Sequence, residues 1–162
     1  DVYRIATNST KTITTQGFSL GLNYYLDSKY TFNGNFSWNK LNKQIDDPII
    51  PAYNTPEFKF NVGLSGKDIS IELNEKSLIK DIGFSFNYKW VQGFLFEGSP
   101  QFTGEVPTYG LLDLQVTKNM KKQNLAIKIG ASNILNNRVL QVYGGPFIGR
   151  MAYISLLFDF KD

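Results

Sequence analysis

The sequence has no cysteine and no histidine, and only two methionines and two tryptophans in 162 residues. Without cysteine there is neither a disulfide framework nor a thiolate nucleophile. Without histidine there is no imidazole base, and the two absences together remove the Cys/His zinc sites. Carboxylate or lysine chemistry stays open, but no base-plus-nucleophile arrangement stands out, so the residues point away from an enzyme and imply no cofactor. Charge of one sign is also scarce. The net charge is +3, and the only basic cluster, "KKQ" at 121–123, is too short to mark a nucleic-acid or anionic-lipid surface. No apolar run approaches the roughly 20 residues that a membrane helix needs, and residues 1–15 lack a charged start followed by an apolar stretch. The expectation is a mature form, a cytoplasmic protein, or a piece of something longer.

What the sequence does have is aromatics, thirteen Phe and nine Tyr, beside fourteen Gly and abundant Asn and Ser. That mixture suits strands and tight turns and is poor for helices, which predicts an all-β protein. The period is two throughout. Phe18, Leu20, Leu22, Tyr24 and Leu26 alternate with Ser19, Gly21, Asn23 and Tyr25. After the turn "DSK", Tyr30, Phe32, Gly34, Phe36 and Trp38 alternate with Thr31, Asn33, Asn35 and Ser37. Phe58, Phe60, Val62 and Leu64 oppose Lys59, Asn61 and Gly63, and Ile82, Phe84, Phe86, Tyr88 and Trp90 oppose Gly83, Ser85, Asn87 and Lys89. Leu112, Leu114 and Val116 oppose Asp113, Gln115 and Thr117. Leu125, Ile127, Ile129 and Ala131 form the apolar set of the next strand, on odd numbers. In the closing "RMAYISLLFDF", Ala152, Ile154, Leu156, Phe158 and Phe160 share one phase. With a weaker "VYRIAT" at the start, about eight strands are expected, with no internal domain boundary. Short connections alternate with long ones at 43–56, 93–109 and 133–149. Residues 67–81 break the rhythm and fit either an extended hairpin or a helical turn.

A soluble sandwich or lipocalin-like barrel also alternates, with its apolar face inward and many charges outside. Here the polar face is mainly Asn, Ser, Gly and Thr. The apolar face is crowded with Phe, Leu and Ile, with Tyr24, Tyr30, Trp38, Tyr88 and Trp90 near strand ends. A transmembrane β-barrel has this arrangement, apolar outward, polar inward and aromatics at the headgroups. Lys59, Lys89, Asp113 and Lys128 all fall in the polar phase, as lumen-facing candidates. Lys40, Lys118 and Arg150, in the apolar phase, fall at strand ends. On this reading the lipid-facing set is Phe18, Leu20, Leu22, Phe32, Phe36, Phe60, Phe84, Phe86, Leu114, Ile127, Ile154, Leu156, Phe158 and Phe160.

The stretch "GASNILNNRVLQVYGGPFIGRMAYISLLFDF", residues 130–160, resembles the C-terminal end of TonB-dependent outer-membrane receptors of the Bacteroidetes type. "NTPEFKFNVGLSG" at 54–66 and "YKWVQGFLFEGSPQFTG" at 88–104 are similar to upstream barrel segments of that group, and "ASNILNN" is the most specific element. The resemblance implies a bacterial outer-membrane location and a 22-stranded antiparallel transmembrane β-barrel plugged by an N-terminal domain, importing a nutrient with energy relayed by TonB. Residues 1–162 would be the C-terminal part of that barrel, with the plug domain absent from this chain. Partners would be outer-membrane lipid, the remaining strands and plug, TonB through that plug, and a surface lipoprotein. A self-closing eight-stranded barrel with an anchoring or adhesion role, and a soluble ligand-binding barrel, are the alternatives.

If the family orientation carries over, the long loops face outside. Tyr53, Phe94, Phe96, Phe102 and Tyr143 are then either ligand contacts, since sugars and flat ligands stack on aromatics, or loop packing. Lys59, Lys89, Asp113 and Lys128 either meet plug or substrate or are solvated wall charges. Asp46 and Asp47 lack the further spaced oxygens of a Ca²⁺ site, and Gly144 and Gly145 lack the helix that follows a phosphate-cradling loop. The sequons at Asn8 and Asn35 read as coincidence.

Overall fold

The computed structural model describes residues 14–42, 53–74, 77–98 and 102–159. It is all-β. Seven strands, β1 (Thr14–Leu26), β2 (Tyr30–Asn42), β3 (Phe58–Asn74), β4 (Ser77–Val91), β7 (Tyr109–Met120), β8 (Leu125–Ser132) and β9 (Met151–Phe158), form one antiparallel sheet in the order β1-β2-β3-β4-β7-β8-β9. Between β4 and β7 the chain makes a separate hairpin, β5 (Phe94–Glu97) paired with β6 (Thr103–Val106). The expected count of about eight becomes seven strands in the sheet plus this hairpin. "VYRIAT" lies outside the described residues, as do residues 43–52 and Phe160. The sheet is open, with β1 and β9 as its edges and not paired to each other.

Turn length decides which residues share a face. The turn Asp27–Lys29 joins Leu26 to its partner Tyr30, so even numbers pair with even numbers across β1 and β2. Asp27 takes the left-handed conformation there (φ 63°), tolerable for Asp, and its carboxylate accepts the Ser28 N–H at 2.6 Å. The connection from β7 to β8 is one residue longer. A 3-10 turn at Lys121–Gln123 is followed by Asn124 in the left-handed region (φ 49°), and Met120 pairs with Leu125. That extra residue exchanges even for odd, which is why the apolar set of β8 carries odd numbers. The next hairpin, Leu125 with Phe158, restores the even set in β9.

The stretch 67–81 is an extended hairpin, not a helical turn. β3 and β4 continue past the rest of the sheet as a two-stranded arm, with register shifts at Gly66/Ile69, Ile69/Ile71 and Glu72/Asn74. Those bulges destroy the simple period of two there. Lys121 ties the base of the arm to the β7–β8 turn, reaching Asp81 at 2.7 Å and Asp68 at 3.4 Å. The Lys118 ammonium donates to the Lys80 carbonyl.

Among the described residues the buried hydrophobic side chains are Val91, Val106 and Val139. All three lie at the end of the sheet that carries the long connections. Among the described residues no second layer packs on the sheet, and Leu20 and Ile154 remain 65% and 72% exposed.

Candidate functional site

The register assembles the alternating residues into two continuous faces. On the apolar face one row runs Tyr24, Phe32, Leu64, Phe86, Leu114, Ala131, Ala152, each paired with the next. The adjoining row runs Leu26, Tyr30, Gly66, Phe84, Val116, Ile129, Ile154. Phe18, Leu20, Leu22, Phe36, Phe60, Ile127, Leu156 and Phe158 lie on this same face. Aromatic rings concentrate toward the long-loop end. Phe18 touches Phe36 and Trp38 (centroids 5.8 and 5.7 Å), Phe36 touches Phe58 (6.0 Å), and Phe60 stacks on Trp90 at 5.5 Å and 18°. Such pairs contribute about 0.5–1.5 kcal/mol each beyond area burial. The Trp38 indole N–H donates to Glu57 at 3.3 Å, so its ring is apolar at one end and wet at the other. Tyr24 and Tyr30 sit at the opposite, short-turn end. Gly66 faces Phe84 on this side, where an added Cβ would come within 2.5 Å of the Phe84 ring.

The other face is polar and low in profile. Ser19 and Ser37 share a hydrogen bond at 3.0 Å, the Asn61 amide donates to Asn35 at 2.9 Å, and the Tyr153 hydroxyl donates to Gln115 at 2.9 Å. Tyr153 lies across Gly130, where a Cβ would stand 2.5 Å from its hydroxyl. Lys59, Lys89, Asp113 and Lys128 are all on this face, as their registers opposite Ser37, Asn61, Asn87 and Thr117 require. They are not equivalent. Asp113 is committed, since its carboxylate accepts the backbone N–H of Asn133 at 2.8 Å. Lys59, Lys89 and Lys128 form no ion pair with any described residue.

Asn133 is the centre of a clamp that the sequence shows only as an Asn-rich loop. It is 3% exposed and left-handed (φ 51°). Its side-chain oxygen accepts the Asn137 N–H at 3.0 Å, while its amide nitrogen donates to the Asn137 carbonyl at 2.7 Å and the Ile148 carbonyl at 3.4 Å. The Ile134 N–H then bonds Leu112 O at 2.8 Å, the Asn137 side chain donates to Gly110 O at 2.9 Å, and Asn136 accepts the Arg150 N–H at 3.0 Å. "ASNILNN" thereby fastens the start of the 133–150 loop to β7 and ties the loop's far end, at Ile148 and Arg150, back onto that start.

The five loop aromatics divide. Tyr53 and Phe94 share a shallow cleft of about 330 Å³ with Lys40, Glu57, Gln92 and Glu97. Phe102 packs beside Gly144 (φ 77°), and Tyr143 lies over Gly104. Phe96 is half-buried in β5. The hairpin that carries Phe94 and Phe96 is held by Asn54, which donates to Glu97 O at 3.0 Å and accepts the Glu97 N–H at 2.7 Å. Nothing in the sequence pattern marks Asn54, since its partner is 43 residues away. Asp46 and Asp47 lie outside the described residues. Among the described residues no three acidic side chains gather to hold a metal.

The class the coordinates define is therefore an open, antiparallel, all-β sheet with one apolar and one polar face. No family model, no curated protein and no solved structure matches the chain.

Proposed function

We propose that this chain is the C-terminal part of the barrel wall of a TonB-dependent outer-membrane receptor of the Bacteroidetes type. It serves energy-coupled nutrient uptake in a bacterial outer membrane. The apolar face meets lipid, the polar face lines the lumen, and the chain does no chemistry of its own. Its partners are the remaining strands and plug of the receptor, TonB through that plug, and a surface lipoprotein at the long loops. The observation that carries this reading is the unbroken apolar face across seven strands, uncovered in the fold and bounded by two unpaired edges.

The dimensions support it. On β1 the apolar set runs from Phe18 to Leu26, roughly 27 Å along a strand that rises about 3.4 Å per residue, or near 21 Å at a 40° tilt. That approaches the apolar band of about 25 Å expected of a barrel wall. Trp38, Tyr88 and Trp90 toward one end, and Tyr24 and Tyr30 toward the other, suit two headgroup girdles. The two open edges favour a fragment over a self-closing barrel, because unpaired backbone groups in hydrocarbon cost several kcal/mol each.

The test uses Phe84 and Ser85, adjacent on β4 and on opposite faces. In the intact polypeptide, Phe84→Arg abolishes the heat-modifiable, membrane-assembled form, since an arginine on the lipid face costs up to about 2–4 kcal/mol according to its depth, while Ser85→Arg assembles. Equal tolerance of the two sinks the sidedness on which the proposal stands.

A further inference from the structure

We propose that the arm formed by β3 and β4 is a membrane-surface anchor, lying in the headgroup layer at the short-turn end with Ile69, Ile71, Ile79 and Ile82 turned into lipid. This rests on the barrel-wall reading and adds a contact that the pairing of the wall strands does not need. The observation that carries it is a pair of bulges. Between the pairs Gly66–Phe84 and Ile69–Ile82 there is one extra residue on β3, and between Ile69–Ile82 and Ile71–Ile79 there is one extra on β4. Each extra stretch holds an aspartate in the left-handed region, Asp68 (φ 51°) and Asp81 (φ 57°), the conformation that opens one class of bulge and that Asp tolerates. The apolar face carries even numbers on the sheet portions of β3 and β4, so simple alternation would turn Ile69, Ile71 and Ile79 to the polar side. The bulge on β3 brings Ile69 and Ile71 onto the apolar face, and the bulge on β4 brings Ile79 there opposite Ile71.

The apolar stripe of the arm is continuous with that of the wall. The Phe84 ring and Ile69 Cδ1 lie 2.5 and 2.7 Å from the point where a Cβ would stand on Gly66, so both cover one spot on one face. Phe84 in turn meets Tyr30 at 6.3 Å. Ile71 is 44% exposed, and its neighbours Ser70 and Glu72, on the other face, are exposed as well. From the level of Tyr30 and Gly66 to Ile71, a straight arm at a 40° tilt would descend roughly 10 Å, past a headgroup layer about 5–8 Å deep. Bulges bend a strand, however, and here the bend is held, because Lys121 grips both bulge aspartates while the Lys118 ammonium holds the Lys80 carbonyl. Lipid is the occupant that fits. Four isoleucines fall short of the roughly 800 Å² per partner that a stable protein interface takes. Bulges on both strands, with a lysine on the Lys80 carbonyl, oppose the addition of a further strand. An apolar strip backed by polar and charged residues is what the headgroup boundary accommodates.

Residues 1–162 contain no cysteine, so single labels can be placed cleanly. Ile71→Cys, Glu72→Cys and Phe86→Cys are made in the intact polypeptide, with any cysteine outside residues 1–162 replaced by serine. Each carries a polarity-sensitive fluorophore and is reconstituted into phosphatidylethanolamine–phosphatidylglycerol vesicles, with and without brominated acyl chains. The heat-modifiable form shows that each variant has assembled. The brominated chains are expected to quench the label at 71, like that at mid-wall 86, at least about twofold more than the label at 72. A quenched label at 86 beside an unquenched one at 71 places the arm in water and overturns the inference while the wall reading stands. Equal quenching at 71 and 72 overturns the sidedness of the arm. An unquenched label at 86 removes the wall reading itself, and the inference with it.

Discussion

Asn133 concentrates more of the fold's specificity than any large side chain, because three needs meet in it. The position is left-handed, where Asn is better tolerated than most residues. Its carboxamide satisfies both the N–H and the C=O of Asn137, and its burial removes water as a substitute partner. Asn133→Ala loses the conformational tolerance and leaves those groups unpaired, so a destabilisation of about 2–4 kcal/mol is expected. Amide hydrogen exchange across 133–150 reads it directly. Faster exchange there, with the β1–β2 amides unchanged, is the expected pattern, and a uniform change across the sheet would contradict a local clamp. Asp113 makes a sharper comparison. Its carboxylate acts as an acceptor for one backbone N–H, so Asp113→Asn keeps the acceptor and costs under about 1.5 kcal/mol. Asp113→Ala strands the N–H and costs about 1–3 kcal/mol. A large loss in the Asn variant would mean that the charge itself matters at this position.

At the scale of elements, the arm formed by β3 and β4 depends on one cation. The hydrogen bond from Lys121 holds the Asp81 carboxyl below the usual aspartate range, and the same bond raises the Lys121 ammonium. A carboxylate whose pKa is lowered in the folded state contributes stability that is present above its unfolded pKa and lost as the pH falls through the folded one. The arm's anchor therefore holds at neutral pH and weakens as the pH falls below the ordinary aspartate pKa toward the lowered one. Hydrogen-exchange protection factors for residues 67–72, which remove the intrinsic slowing of exchange in acid, should fall on acidification in the wild type. In Asp81→Asn they should already be lowered at neutral pH and change less. An unaltered acid response in that variant would place the titrating group elsewhere. The same elements show what the sequence carried legibly. The period of two identified all seven sheet strands with their faces, the closing strand included, because each has five or more alternating positions. It failed at 67–81, where bulges at Gly66 and Ile69 interrupt alternation. It missed β5 and β6, whose four residues each are too few to establish a period. The odd numbering of β8 was visible, but its cause was not until the length of the Lys121–Asn124 connection was known. Asn54 and Asn133 were illegible for another reason. An Asn in a loop has the same sequence signature whether its amide meets water or a backbone 43 residues away.

For the whole molecule the governing quantity is the pair of free edges. Seven strands with both flanks open leave a row of backbone donors and acceptors along β1 and another along β9, beside apolar residues such as Leu22 and Leu156 at 57% and 68% exposure. In water such a sheet templates its own aggregation, and in hydrocarbon its edges have nothing to bond. A wall segment escapes both problems by pairing with further strands, whereas a self-closing barrel would join β1 to the C-terminal side without help. Residues 1–162, expressed alone and refolded into detergent, are accordingly expected to yield no discrete band that shifts on heating. The intact polypeptide should yield one. The discriminating result is a heat-modifiable monomer from residues 1–162 alone, since only a closed ring of backbone hydrogen bonds resists detergent in that way. It would move the assignment from receptor wall to independent barrel while leaving the two-faced sheet in place.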